Sequence, residues 1–233
     1  MCWSGEASAV LAVVGIASTA YAAHKKEPPE LWIPLAFFTL MEVLQAFTYS
    51  VINQCGLPSN EVATLLGYLH IAFQPFFINY MGMYFIPRHI REKIQVYVYT
   101  LCFAAAILMI IRVYPFSWAP LCEPGTILCG ANLCSVYGTW HIAWNIPLNN
   151  IFGNAPIYAL VALVLPILYG SWRAGLYNMA VGPVAAYLLT SNPNEQPAIW
   201  CLLSIGLLLL VMKTRIRDKL HVQRWFWWPK SAT

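Results

Sequence analysis

The hydrophobic pattern of this chain is a series of long apolar runs broken by short polar stretches. Seven runs are evident: Ala7–Ala23, Trp32–Ile52, Val62–Ile86, Val96–Val113, Ile157–Trp172, Gly175–Leu189 and Ala198–Met212. Runs of roughly 16 to 25 residues match a hydrocarbon core about 30 Å thick. They are apolar all round rather than along one stripe, which predicts helices solvated by lipid. The pattern therefore predicts an all-α polytopic membrane protein with seven transmembrane helices and one domain over residues 1–233. The long break is 114–156, rich in Pro, Gly, Asn and Cys. Loops of that length inside a compact protein carry function or their own structure. Within it, Val136–Leu148 is apolar and aromatic enough to predict a short helix lying at the membrane surface.

Charge orients the threading. Twelve of the thirteen Lys and Arg residues fall on one side of a seven-span path: Lys25, Lys26, Arg88, Arg91, Lys93, Arg173 and the tail 213–233. Arg112 alone lies on the other. Basic segments stay inside, so the N-terminus is expected outside and the C-terminus in the cytoplasm, in the cytoplasmic or plasma membrane. An eighth span at 136–148 would put the basic tail outside, against that rule. The first run has no basic segment before it and His24-Lys25-Lys26 after it, so it reads as an anchor and not as a cleaved signal. Hydrophobic residues make up 60% of the chain and charged residues 9%, and the net +4 reflects attraction to an anionic inner leaflet. The lipid bilayer is the expected partner and nucleic acid is not; an oligomer is compatible with this sequence. Arg224-Trp225-Phe226-Trp227-Trp228 reads as an interfacial anchor, since Trp favours headgroup level.

Polar residues within the runs carry the candidate chemistry. Glu42, Gln45 and Tyr49 share one helical face, and His70 and Gln74 lie one turn apart on the next helix. An ionisable group at membrane depth costs about 2.5–3.5 kcal/mol on insertion scales, so each asks for a reason. Glu42 has no Lys or Arg within the bundle, and His70 is its expected partner. Asn79 lies about 180° from His70 and is placed outside this pocket. Interhelical hydrogen bonding alone is the competing reading of these groups. Pro34, Pro75, Pro166 and Pro183 interrupt the runs, each removing an N–H and freeing a carbonyl that needs a partner within the protein.

A second histidine extends the pattern. His70-Ile71-Ala72-Phe73-Gln74-Pro75 and His141-Ile142-Ala143-Trp144-Asn145-Ile146-Pro147 both place an amide four residues after an imidazole. Read as helices, they predict His70 and His141 as metal ligands, with Gln45, Tyr49, Gln74 and Asn145 orienting them. Five cysteines, Cys2, Cys55, Cys122, Cys129 and Cys134, fall on the outer side, where disulfides persist. Cys122, Cys129 and Cys134 are expected to staple the outer loop, and an odd count leaves one thiol, assigned to Cys2. Cys102 and Cys201 fall inside spans and read as small apolar residues. Met1 and Cys2 would add an amine, a thioether and a thiolate, a donor set that favours copper over zinc. Ser4 is placed as the cap of the first helix.

The Cys2-Trp3-Ser4 start and the His141-Ile142-Ala143-Trp144 segment resemble an uncharacterised family of small seven-helix membrane proteins. The resemblance covers nearly the whole chain and implies the fold, without an activity. Similarity to ceramidase-like membrane hydrolases is faint and confined to Trp140-His141; with no Asp before Asp218, zinc hydrolysis is not expected. No span offers a Lys for a Schiff base, so retinal is not expected, and no receptor-type motif appears in the short inner loops. The expectation is an outward-facing intramembrane site holding a transition metal, copper ahead of zinc, in a membrane metalloenzyme or metal-handling protein. The alternative is a metal-free transporter or receptor-like binder of a small polar or lipid-like ligand, using Glu42 and His70.

Overall fold

A computed structural model describes residues 3–151 and 156–228. Five helices in it are long and apolar enough to cross a membrane: α1 (Gly5–His24), α2 (Pro29–Ser50), α3 (Pro58–Tyr84), α4 (Arg88–Ile111) and α7 (Gln196–Lys213). The fifth and sixth predicted runs form α5 (Ile157–Leu168) and α6 (residues 172–189), each interrupted by a wide π turn. A short helix, α8 (Ile216–Leu220), follows α7. Ser4 caps α1, its hydroxyl accepting the Ala7 N–H at 3.3 Å.

Proline explains where the helices widen. In the turn Leu160–Val164 each carbonyl looks five residues ahead, and the residue five beyond Val161 is Pro166, which has no N–H. Asn79 of α3 supplies the missing donor, its Nδ2 reaching the Val161 carbonyl at 2.9 Å and the Pro75 carbonyl at 2.8 Å. A second wide turn, Ala180–Val184, contains Pro183. There Gly182 lies under the indole of Trp200, and a Cβ on it would come within 2.3 Å of Nε1.

α2 sits at the centre, packed against α1, α3 and α7. The buried residues of α1 are Ser8, Ala12, Gly15 and Ala22, small side chains along one face that let the backbones approach. At Gly15 a Cβ would lie 2.3 Å from Thr39 Oγ1. One end of the bundle gathers the basic residues: Arg217 pairs with Glu27 at 2.9 Å, Arg91 pairs with Glu30, and Arg173 donates to the carbonyls of Lys219 and His221. The tail closes this end, Trp225 and Trp228 donating their indole N–H groups to the Leu168 and Tyr169 carbonyls at 3.0 Å.

The other end is covered by a β-hairpin, which corrects the expected surface helix. Strands β1 (Cys134–Tyr137) and β2 (Ile142–Asn145) pair antiparallel, Cys134 opposite Asn145 and Tyr137 opposite Ile142. Gly138 and Thr139 favour a turn and Val136 and Ile142 favour strand, so the same apolar residues close back on themselves. The ribbon is sunk into the bundle: Ile142, Trp144 and Ile146 are almost fully buried, and the Trp144 ring lies on Gly67 of α3. Its free edge is paired by side chains. Asn60 takes the Ser135 N–H and donates to the Ser135 carbonyl, and Asn53 takes the Tyr137 N–H. Cys55–Cys134 ties β1 to the α2–α3 connection, and Cys122–Cys129 closes a small loop beside it.

The two bridges differ in the chain they constrain. Cys55–Cys134 spans 79 residues and Cys122–Cys129 spans 7. Loop-closure entropy makes the long bridge worth about 2 kcal/mol more than the short one. In thermal unfolding in detergent, Cys55→Ser/Cys134→Ser is expected to lose about 2–4 kcal/mol, and Cys122→Ser/Cys129→Ser clearly less.

Candidate functional site

Beneath the hairpin, a chain of polar side chains descends into the bundle. His141 is the last residue of the hairpin turn, and its side chain is 1% exposed. Its Nε2–H donates to Gln45 Oε1 at 2.9 Å. That fixes the tautomer, and Nδ1 then accepts the Tyr49 hydroxyl at 2.7 Å. Gln45 and Tyr49 are one turn apart on α2, so a single imidazole bridges two positions of one helical face. Burial pushes the His141 imidazole down to about 3, because a charged ring there would lose its hydration. Trp3 completes the wall: its ring meets that of His141 edge-on at 6.0 Å, and its backbone N–H donates to the Trp140 carbonyl at 3.1 Å.

One turn further into the bundle on the same α2 face lies Glu42, which is fully buried. Among the described residues neither carboxyl oxygen has a hydrogen-bond partner, and the Gln45 amide nitrogen has none either. Ser8 of α1 faces this carboxyl and accepts the Trp3 indole N–H at 2.8 Å. Cys201 of α7 lies in its neighbourhood. Glu42 therefore sits where α1, α2 and α7 meet.

His70 is not brought to this site. Its ring stacks on Phe37 at 3.7 Å, and Phe37 stacks in turn on Phe77 at 3.8 Å, so one α2 ring is held between two α3 rings seven residues apart. No hydrogen bond joins His70 to Glu42. His70 contacts Phe37 and Phe38, whereas His141 bonds to Gln45 and Tyr49. Seven residues of α2 from Phe38 to Gln45 separate their anchoring points by roughly 10 Å. Gln74 is buried with its amide nitrogen unpartnered among the described residues. Asn145 is also elsewhere: four residues along a strand span about 13 Å, and Asn145 Oδ1 accepts from Asn194 at 2.8 Å. Among the described residues, no three His, Cys, Asp or Glu side chains converge on a metal-sized point. Met1 and Cys2 lie outside the described residues.

Glu195, at the start of α7, is a structural determinant that the sequence pattern did not single out. Its buried carboxyl accepts the Trp140 and His141 backbone N–H groups on Oε1 and the Thr190 hydroxyl on Oε2 at 2.6 Å. Gly138 makes room for it, since a Cβ there would lie 2.6 Å from Glu195 Cδ. In sequence, an acid at a helix start reads as a dipole partner and gives no sign of this contact.

Residues 6–221 match a family of unknown function, DUF5765. No curated protein and no solved structure matches the chain.

Proposed function

This chain belongs to the DUF5765 family, a family of unknown function, and we propose that it is a seven-span membrane binding protein whose site opens outward at Glu42. The N-terminus lies outside and the basic end of the bundle faces the cytoplasm. On this reading the five long helices and the two interrupted ones make the seven crossings, and the gathering of Lys and Arg at one end supports the orientation.

The observation that carries the reading is the unpartnered Glu42 carboxyl at the junction of three helices. A carboxyl left without a partner at that depth is costly, and a ligand donor removes the cost. Gln45 is held by His141 through its carbonyl, which leaves its NH2 group free to donate. Acceptors from Glu42 and donors from Gln45 fit a small polar ligand that carries both an amine or amide N–H and an acceptor oxygen. His141, Tyr49 and Trp3 form the cover over it, and the pair Glu42 and Gln45 takes the place assigned in sequence to Glu42 and His70.

The test is a panel of small amines, amides and amino acids added to the protein in lipid nanodiscs. At least one is expected to raise the melting temperature, and Glu42→Gln to remove that rise while retaining the unliganded melting temperature within a few degrees. Identical ligand responses in Glu42→Gln and the unaltered protein would sink the proposal.

A second reading is favoured by one contact. Met1 and Cys2 immediately precede Trp3, and Trp3 packs on His141. With Tyr49 turned away, His141 Nδ1 would join Met1 and Cys2 as ligands of a transition metal, copper ahead of zinc. Elemental analysis decides it: copper or zinc should co-purify and be lost in His141→Ala and Cys2→Ser. His70→Ala serves as a control, because His70 lies in the aromatic stack. Bound metal unchanged by His141→Ala would exclude this site.

A further inference from the structure

The basic end of the bundle holds a charged cleft. Where α2, α3 and α4 meet there, a cleft of about 370 Å³ is lined by Glu30, Arg91, Arg88, Glu92, Tyr80 and Tyr99. Arg91 and Glu30 are paired and only 24% and 17% exposed in their side chains. Arg88 and Glu92, paired at 2.6 Å, stand at the mouth, 82% and 55% exposed. Two cations and two carboxylates leave the lining with no net charge.

Below the charges the character changes. The seam between α3 and α4 is a row of rings: Tyr80 and Tyr99 at 6.0 Å, Tyr99 and Phe76 at 5.1 Å, Phe76 and Phe103 at 4.9 Å, Phe103 and Phe73 at 6.3 Å. On the outer flank of α4, Val96, Phe103 and Ile107 are exposed. An apolar track therefore runs from the cleft into the depth of the membrane. Charge at the helix ends above an aromatic groove is the outline of a phospholipid.

We propose that this cleft binds a phospholipid with a zwitterionic headgroup bearing a primary ammonium, of the ethanolamine class. The phosphate meets Arg91 and Arg88 as a charge-assisted acceptor. The ammonium donates to Glu30 and Glu92. The tyrosine hydroxyls donate to the phosphate, and one acyl chain follows the ring seam. A net-anionic headgroup leaves the two carboxylates facing its phosphate without compensation. A choline headgroup offers them no N–H, and free phosphate lacks the chain. This site is independent of the Glu42 site.

Delipidated protein in detergent is titrated with short-chain phosphatidylethanolamine, phosphatidylglycerol, phosphatidylcholine and inorganic phosphate, with native mass spectrometry reading bound lipid. The ethanolamine lipid is expected to bind roughly tenfold more tightly than the others, and Arg91→Gln and Glu30→Gln each to lower its affinity by roughly tenfold. Should either buried-pair variant fail to fold, Arg88→Gln and Glu92→Gln at the exposed mouth each lower the same affinity severalfold. Equal binding of phosphatidylglycerol or phosphatidylcholine overturns the headgroup assignment. Equal binding of inorganic phosphate overturns a lipid site, and ethanolamine-lipid affinity unchanged in the variants overturns the cleft.

Discussion

Replacing Glu195 by alanine is expected to release the outer hairpin and lower stability by about 3–5 kcal/mol. The substitution leaves three donors without an acceptor: the N–H groups of Trp140 and His141 and the hydroxyl of Thr190. Each buried donor left unpaired costs about 1–3 kcal/mol. The loss spreads, because the same turn holds the His141 side chain over Gln45 and Tyr49. Glu195→Gln keeps one oxygen for the two N–H groups and presents an amide to Thr190, whose hydroxyl can turn to accept. About half the loss is expected there. Denaturation in detergent gives the energy, and hydrogen exchange across residues 134–145 shows which segment opens. A loss below about 1 kcal/mol in Glu195→Ala would mean that the carboxyl does not hold the hairpin.

The second large effect is acid sensitivity of the same hairpin. His141 titrates near 6.5 when unfolded and is pushed down to about 3 by burial. At pH 7 the ring is neutral in both states and its contribution to stability is fully present. As pH falls below about 6.5 the unfolded chain takes up a proton that the folded chain refuses, so stability drops until about pH 3. The slope is about 1.4 kcal/mol per pH unit in the middle of that window. The groups around the ring are Tyr49 and Gln45 of α2, Trp3 before α1 and Glu195 on the backbone N–H, with Glu42 one turn deeper on α2. A negative charge among them would favour the protonated ring and oppose the effect, but burial is the cause that sets the shift. Melting temperature measured from pH 7 to pH 4 should fall steeply, and His141→Gln should flatten the profile. A profile that is unchanged by His141→Gln would assign the acid sensitivity to carboxylates elsewhere.

What the sequence made legible follows from what a periodic pattern can encode. The five long helices were readable because lipid solvation demands continuous apolarity. Their limits fall within four residues of the predicted ones except at the start of α4, where the helix begins at Arg88, eight residues before Val96. The Glu42, Gln45 and Tyr49 stripe was readable for the same reason, since its spacing is a property of α2 alone. The hairpin was not. The largely apolar stretch Val136–Leu148 looks alike whether wound into a surface helix or folded back as a buried ribbon, and Gly138 with Thr139 was the local sign of the turn. That error carried over to the site, because the spacing from His141 to Asn145 gives one helical turn in one geometry and opposite ends of a strand in the other. His70 shows a further limit: its partner ring, Phe37, comes from a different helix, and no spacing within α3 announces it. Asn79 is the converse case. It was set apart by its angle from His70, and it is bonded to the widened turn of α5.

The central claim is that Glu42 sits in a site reached from the outer face. Its most direct test uses sealed vesicles with the N-terminus outward, treated with a water-soluble carbodiimide and an amine nucleophile, with mass spectrometry of the peptide carrying Glu42. The account predicts modification of Glu42 from the outside, faster in His141→Ala because the cover is loosened. Modification only from the inner face, or none in either protein, would contradict it.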